Sequence, residues 1–195
     1  MLRHLFVSKV RVKLLQVFFS QPDKPCYGRQ LSRRLGEQIN AIRRELENLQ
    51  EIGLLKSEKR GNRIYFYLNK DFIHYEALLL LVLKTTDLGQ AIIKNQSRLG
   101  KIKWVFFSKN FAQHLPVDKE EIDIFFVGEV IMPELSALVA QEEKKREREI
   151  NYSVMDEAEF RFRYSGKDPF LTSLLMAPRF TILGGESHLL SWPFF

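Results

Sequence analysis

"LENLQEIGLLKSEKRGNRIYFYLN", residues 46–69, joins three devices in one stretch. Leu46 and Leu49 close the apolar stripe of an amphipathic helix that Gly53 stops. "LLKSEK" and "RIYFYL" then read as two short strands, with Ile64, Phe66 and Leu68 alternating onto one face. Between them lies a tip of Lys59, Arg60, Gly61, Asn62 and Arg63. A tight hairpin turn needs only the Gly and the Asn. The three cations at the tip therefore call for a reason of their own.

Working outward, the stretch before it supplies three helices. "SKVRVKLLQVFFS" places Val10, Leu14, Val17 and Phe18 on a helical stripe, and "QPDKPCYG" breaks it. "RQLSRRLG" forms a short helix around Leu31 and Leu35, stopped at Gly36. A third runs from Glu37 to Ile52 with Ile42, Leu46 and Leu49 turned inward. After the hairpin, "YEALLLLVLKTTDLG" reads as one helix ending near Gly89. Its apolar 77–83 segment is a candidate dimer or inter-domain surface.

The charge is divided unevenly. Over residues 1–70 fifteen Lys and Arg stand against six Asp and Glu; the remainder carries fifteen against eighteen. The basic end is thus the one suited to a polyanion. If Ile42, Leu46 and Leu49 face inward, Gln38, Asn40, Ala41, Arg43, Arg44 and Asn48 lie on the outer and flanking helix surface. Arg can read guanine, Asn and Gln adenine, and Ala41 a thymine methyl. Arg29, Arg33 and Arg34 on the preceding helix, with Lys59, Arg60 and Arg63 on the hairpin, fall where phosphate contacts are expected, and Asn62 joins them in the turn that it shapes with Gly61. Neutralising phosphates explains the cationic tip. These thirteen residues are the expected DNA-binding set.

"LSRRLGEQINAIRRELENLQEIGLLKSEKRGNRIYFYLN" (31–69) resembles the winged helix of arsenical-resistance-repressor-type regulators, matched over 27–69. The resemblance implies a recognition helix in the major groove, a wing along the backbone or minor groove, and a homodimer on double-stranded DNA. The cysteine pair by which some relatives sense metals is absent, Cys26 being the sole cysteine.

The second half changes character. "KIKWVFF" (101–107), "EIDIFFVGE" (121–129) and "INYSV" read as strands, "AEFRFRY" and "DPFLTSLLMAP" as helices, and "RFTILGGE" as a strand and turn. "PELSALVAQEEKKREREI" reads as a helix with Pro133 in its first turn, and its charge run as a solvated face. "FAQHLPVDKEEIDIFFVGE", "REINYSV" and "ILGGE" resemble the minimal nucleotidyltransferase fold of the polymerase-beta superfamily, across about 100–185. The resemblance implies Glu121 and Asp123 as a carboxylate pair on one strand face, able to hold Mg²⁺. Lys109 and Asn110 stand where that family has Gly and Ser, and Asn151 and Ser153 offer no third carboxylate.

The expected fold class is therefore α+β: an N-terminal winged helix (1–90), then a small α/β nucleotidyltransferase-like domain (91–195), with the boundary near 89–101. The expected function is sequence-specific transcriptional regulation rather than enzymatic activity. The alternatives are Mg-dependent nucleotide transfer through Glu121 and Asp123, or a partner- or nucleotide-sensing antitoxin-like module. No cofactor or metal is expected, since His4, His74, His114 and His188 are scattered. A lone cysteine, no long apolar run and an N-terminus broken by cations point to a soluble cytoplasmic protein without a signal peptide or membrane contact.

Overall fold

The computed structural model describes residues 8–116 and 121–185. The N-terminal residues before Ser8, His4, His188 and Glu186 of "ILGGE" lie outside them. The described residues form two compact units that divide between Thr85 and Thr86.

The first unit opens with α1 (Lys9–Ser20), whose N-terminus is capped by the Ser8 hydroxyl accepting from the Arg11 amide at 3.2 Å. A short strand β1 (Cys26–Tyr27) leads into α2 (Gly28–Leu35) and α3 (Ile39–Glu51). Gly36 ends α2 in a left-handed conformation, φ 66°. Strands β2 (Leu55–Arg60) and β3 (Arg63–Leu68) pair antiparallel, Arg60 opposite Arg63, so Gly61 and Asn62 alone make the turn. Gly61 has φ 57°, the sense of a turn that matches strand twist. β1 joins the other edge of β3, giving the order β1-β3-β2. Leu14, Phe18, Leu31, Ile42, Leu46 and Leu49 interlock beneath the sheet, all 2 % exposed or less.

Three expectations change here. Ile64 was read as inward with Phe66 and Leu68, yet it is 52 % exposed. The hairpin projects past the core, so its apolar alternation fails towards the tip. Glu45, one of three acids (with Glu47 and Glu51) in the C-terminal half of the third helix, would be expected in solvent, but it is buried and paired with Arg11 at 2.8 Å. The helix expected to reach Gly89 ends at Thr85: α4 (Tyr75–Thr85) and α5 (Asp87–Lys94) are separate, with Thr86 extended between them.

In the second unit, α5, α6 (Gln96–Leu99), β4 (Gly100–Ser108), α7 (Lys109–Ala112), β5 (Ile124–Val130), α8 (Met132–Arg146), β6 (Tyr152–Met155), α9 (Glu157–Ser165), α10 (Pro169–Met176) and β7 (Arg179–Leu183) follow in order. The four strands lie as β6-β5-β4-β7. Trp104, Phe106, Phe125 and Val127 fill one sheet face with Phe160 and Leu171. Val105, Phe107, Ile124 and Phe126 alternate onto the other and are equally buried. Gly184 ends β7 beneath Trp104; a Cβ there would stand 2.1 Å from the indole, which makes the Gly184-Gly185 pair a packing turn.

The expected fold class is corrected by this sheet. It is mixed: β4 is antiparallel to β5 and β7, and β5–β6 is its parallel pair. The expected α/β nucleotidyltransferase-like domain is not what forms. The winged-helix and nucleotidyltransferase-like assignments are not carried further. The architecture is α+β, with an antiparallel three-stranded sheet in one unit and a mixed four-stranded sheet in the other.

Two local expectations about the acids also fall. Glu121 and Asp123 precede β5, which begins at Ile124, so they are not on its face. The charge run at the end of α8 is not simply solvated. Glu142 is buried and accepts from Arg146 Nε at 2.8 Å, and the Arg146 guanidinium lies 3.8 Å above the Phe111 ring.

Candidate functional site

A groove of about 800 Å³ opens in the first unit where the start of α2, the outer face of α3 and strand β3 converge. Four arginines line it, Arg29 and Arg33 from α2, Arg43 from α3 and Arg63 from β3, with Glu47 of α3 as the acid among them. The helical repeat explains the convergence. With Ile42, Leu46 and Leu49 buried, Arg43 falls on the flank of that stripe, about 100° from Ile42, and α2 begins at Gly28 beside the same space.

The hairpin cations are held rather than loose. The Arg63 guanidinium stacks 4.7 Å from the Tyr27 ring, and Tyr27 meets Tyr65 edge-on at 5.4 Å. Arg60 sits 5.5 Å from the Tyr65 ring and pairs with Glu58 at 2.8 Å. The hydrogen bond from Arg60 draws the Glu58 carboxyl below its usual range, and its charge adds to that. A hydrogen bond with Tyr65, then the charges of Tyr27 and Tyr65, raises Arg63 further above its already high value.

Of the thirteen expected residues, Arg29, Arg33, Arg43, Asn62 and Arg63 are brought together in this groove. Gln38, Asn40 and Arg44 are exposed on or beside α3 but do not line it, and Lys59 is exposed near the tip. Ala41 is half-buried. Arg34 turns away to donate to Gln21 at 3.2 Å. Asn48 was expected outward; it is half-buried and hydrogen-bonds to Glu45. Sequence reasoning missed Tyr27, Glu47 and Ile64 in the lining. Glu47 was legible, since it follows Arg43 by four residues and so shares its face. Tyr27 carried no local signal, because only the β1–β3 pairing sets it opposite Tyr65.

The two acids expected to pair, Glu121 and Asp123, take separate partners. Asp123 is fully buried, and Arg148 grips it from Nη2 and Nη1 at 2.8 and 2.9 Å while the Asn151 amide donates at 3.0 Å. Glu121 accepts from Asn110 Nδ2 through both oxygens at 3.0 Å. Among the described residues no group of three His, Cys, Asp or Glu could hold a metal ion. A guanidinium thus occupies the carboxylate that a divalent cation would need. The Cys26 thiol is buried in the first unit, and burial pushes it up towards the protonated form despite Arg34 and Lys24 nearby.

No family model matches this chain, and no curated protein does. Among solved structures, human N-acetylserotonin methyltransferase in complex with SAM is similar over 62 % of this chain at 12 % identity, with a TM-score of 0.31. The match covers 36 % of that enzyme, so the chain spans well under half its length. The expectation of a protein without enzymatic activity is not carried further. A likeness of this size supplies no fold or activity in its place. No helix of the described residues is long and apolar enough to cross a membrane.

Proposed function

We propose that the first unit binds double-stranded DNA in a sequence-dependent way, with α3 entering the major groove and the β2–β3 hairpin following the phosphate backbone. The observation that carries this reading is the convergence of Arg29, Arg33, Arg43 and Arg63 on one open groove. Concentrated positive charge on a concave surface attracts a polyanion by releasing its counterions. Stacking on Tyr27 fixes one of these cations in place before any ligand arrives. Arg43 and Asn40 then offer base-edge donors along the exposed face of α3. Two copies binding as a homodimer would read two half-sites, and such a protein would act as a transcriptional regulator in the cytoplasm.

The test is a titration of duplex DNA against salt. Each phosphate contact contributes a slope of about −0.9 in log K against log salt. Replacing Arg33 and Arg63, the expected phosphate contacts, by Gln should flatten the slope by about 2 and weaken binding to every sequence, whereas Arg43→Gln should relax the sequence preference. Wild type that does not bind duplex at low salt, or a doubly substituted protein with an unchanged slope, would end the proposal.

A further inference from the structure

The second unit holds a cleft of about 300 Å³ between the β4 end, the residues before β5, and α10 with its link to β7. Its floor continues the core: Phe106, Ile122, Phe125, Leu174 and Leu175 all face it. Phe170, 42 % exposed, and Ser173 form the rim. The volume lies at the small end of ligand pockets, which run ~300–1,000 Å³ and pair apolar walls with a few placed polar groups.

Three ionisable groups line this cleft, and they differ in what they are free to meet. Asp123 has its charge cancelled by the bidentate Arg148 contact. Arg179 lies 5.6 Å from the Phe106 ring and donates Nη1 to the carbonyls of Leu175 and Ala177 at the end of α10. Glu121 is different. Among the described residues it meets no cation, and its hydrogen-bond partner is the neutral Asn110 amide. A half-buried carboxylate at the side of an apolar cleft gains most from a positive donor, because the surrounding low dielectric strengthens the pair.

We infer that this cleft binds a small primary amine with an apolar, ring-sized body, the ring lying on Phe106, Phe125 and Leu174 and the ammonium reaching Glu121. A nucleotide fits it poorly: its phosphates would meet the Glu121 carboxylate in a predominantly apolar cleft of about 300 Å³, and the cation of the lining, Arg179, already commits Nη1 to the Leu175 and Ala177 carbonyls. The inference stands on the second unit alone and is independent of DNA binding.

Methyl-labelled full-length protein titrated with phenethylamine, phenylacetate and ATP provides the test. Phenethylamine should shift the Ile122, Leu174 and Leu175 methyl signals saturably, and phenylacetate at least about tenfold less tightly, as one charge-assisted hydrogen bond is worth. Glu121→Gln keeps an acceptor for Asn110 and should weaken the amine about tenfold without weakening phenylacetate. Ser173→Trp, at an exposed rim position, should block the cleft and remove the shifts. The inference is overturned if no probe moves these methyls, if phenylacetate or ATP binds as tightly as the amine, or if either variant binds phenethylamine as wild type does.

Discussion

Replacing Arg148 by Met should unfold the second unit far more readily, and the geometry gives the size of the effect. The Asp123 side chain is fully buried, while that of Arg148 is 33 % exposed. Removing the guanidinium leaves a buried carboxylate that still accepts from the Asn151 amide at 3.0 Å. Breaking a buried pair by deleting one partner costs ~3–5 kcal/mol. The half-open side of this pair and the surviving amide bond place the cost at the lower end, about 3 kcal/mol. Met retains the length of the Arg stem, so lost packing against Phe111, 5.5 Å from the guanidinium, adds little. Both tryptophans, Trp104 and Trp192, lie in the second half of the sequence, so urea unfolding followed by their fluorescence reports that half. With an m-value of roughly 1.5 kcal/mol per M, the midpoint should fall by about 2 M.

The decisive comparison is Asp123→Asn with Arg148→Met. If an uncompensated charge causes the loss, neutralising Asp123 should recover most of it, to within about 1 kcal/mol of wild type. Arg148→Met shifting the midpoint by less than about 0.5 M would refute the argument. So would a double variant no more stable than the single one, since the defect would then lie in packing.

Three further outcomes follow from the first unit. Burial works against the Glu45 charge, but hydrogen bonds from Ser8, Arg11 and Asn48 outweigh it and hold the carboxyl below its usual value. Its contribution is therefore present above the ordinary Glu pKa and lost as pH falls through the lower folded value; the stability gap between wild type and Glu45→Gln, followed by circular dichroism, should close in acid. Tyr75 is pushed up to about 12 by burial, then by Asp23 and Glu76. Its contribution is complete below about pH 10 and disappears as pH rises through 12, so Tyr75→Phe should lack that part of the alkaline loss in the same measurement. Tyr27→Leu removes the stacking surface for Arg63 and should weaken duplex binding several-fold, by ~0.5–1 kcal/mol, with the salt slope unchanged because no charge is lost; a flattened slope would show instead that Arg63 had left the backbone.

What the sequence made legible and what it hid follow from the range of the interactions. The helices and hairpin of the first unit rest on local rules, a 3.6-residue stripe, a left-handed glycine and a two-residue turn, and these act within a few positions. Periodicity assigned Arg43 its face because Ile42 and Leu46 fix the helix rotation. It also sets Glu45, three residues after Ile42, on the buried stripe, but not its partner Arg11, 34 positions away. The same limit governs the second unit. Alternation placed the β4 and β5 strands, but a spacing of two suggested that Glu121 and Asp123 act together. The chain instead separates them: the turn at Glu147, in left-handed backbone at φ 55°, carries Arg148 back to Asp123, while Asn110 takes Glu121. A charge run that read as a solvated helix end thus supplies the cation that closes one carboxylate and leaves the other facing the cleft. Pairing of that kind is set by where a helix stops, and a residue pattern alone does not encode which distant partner the turn will reach.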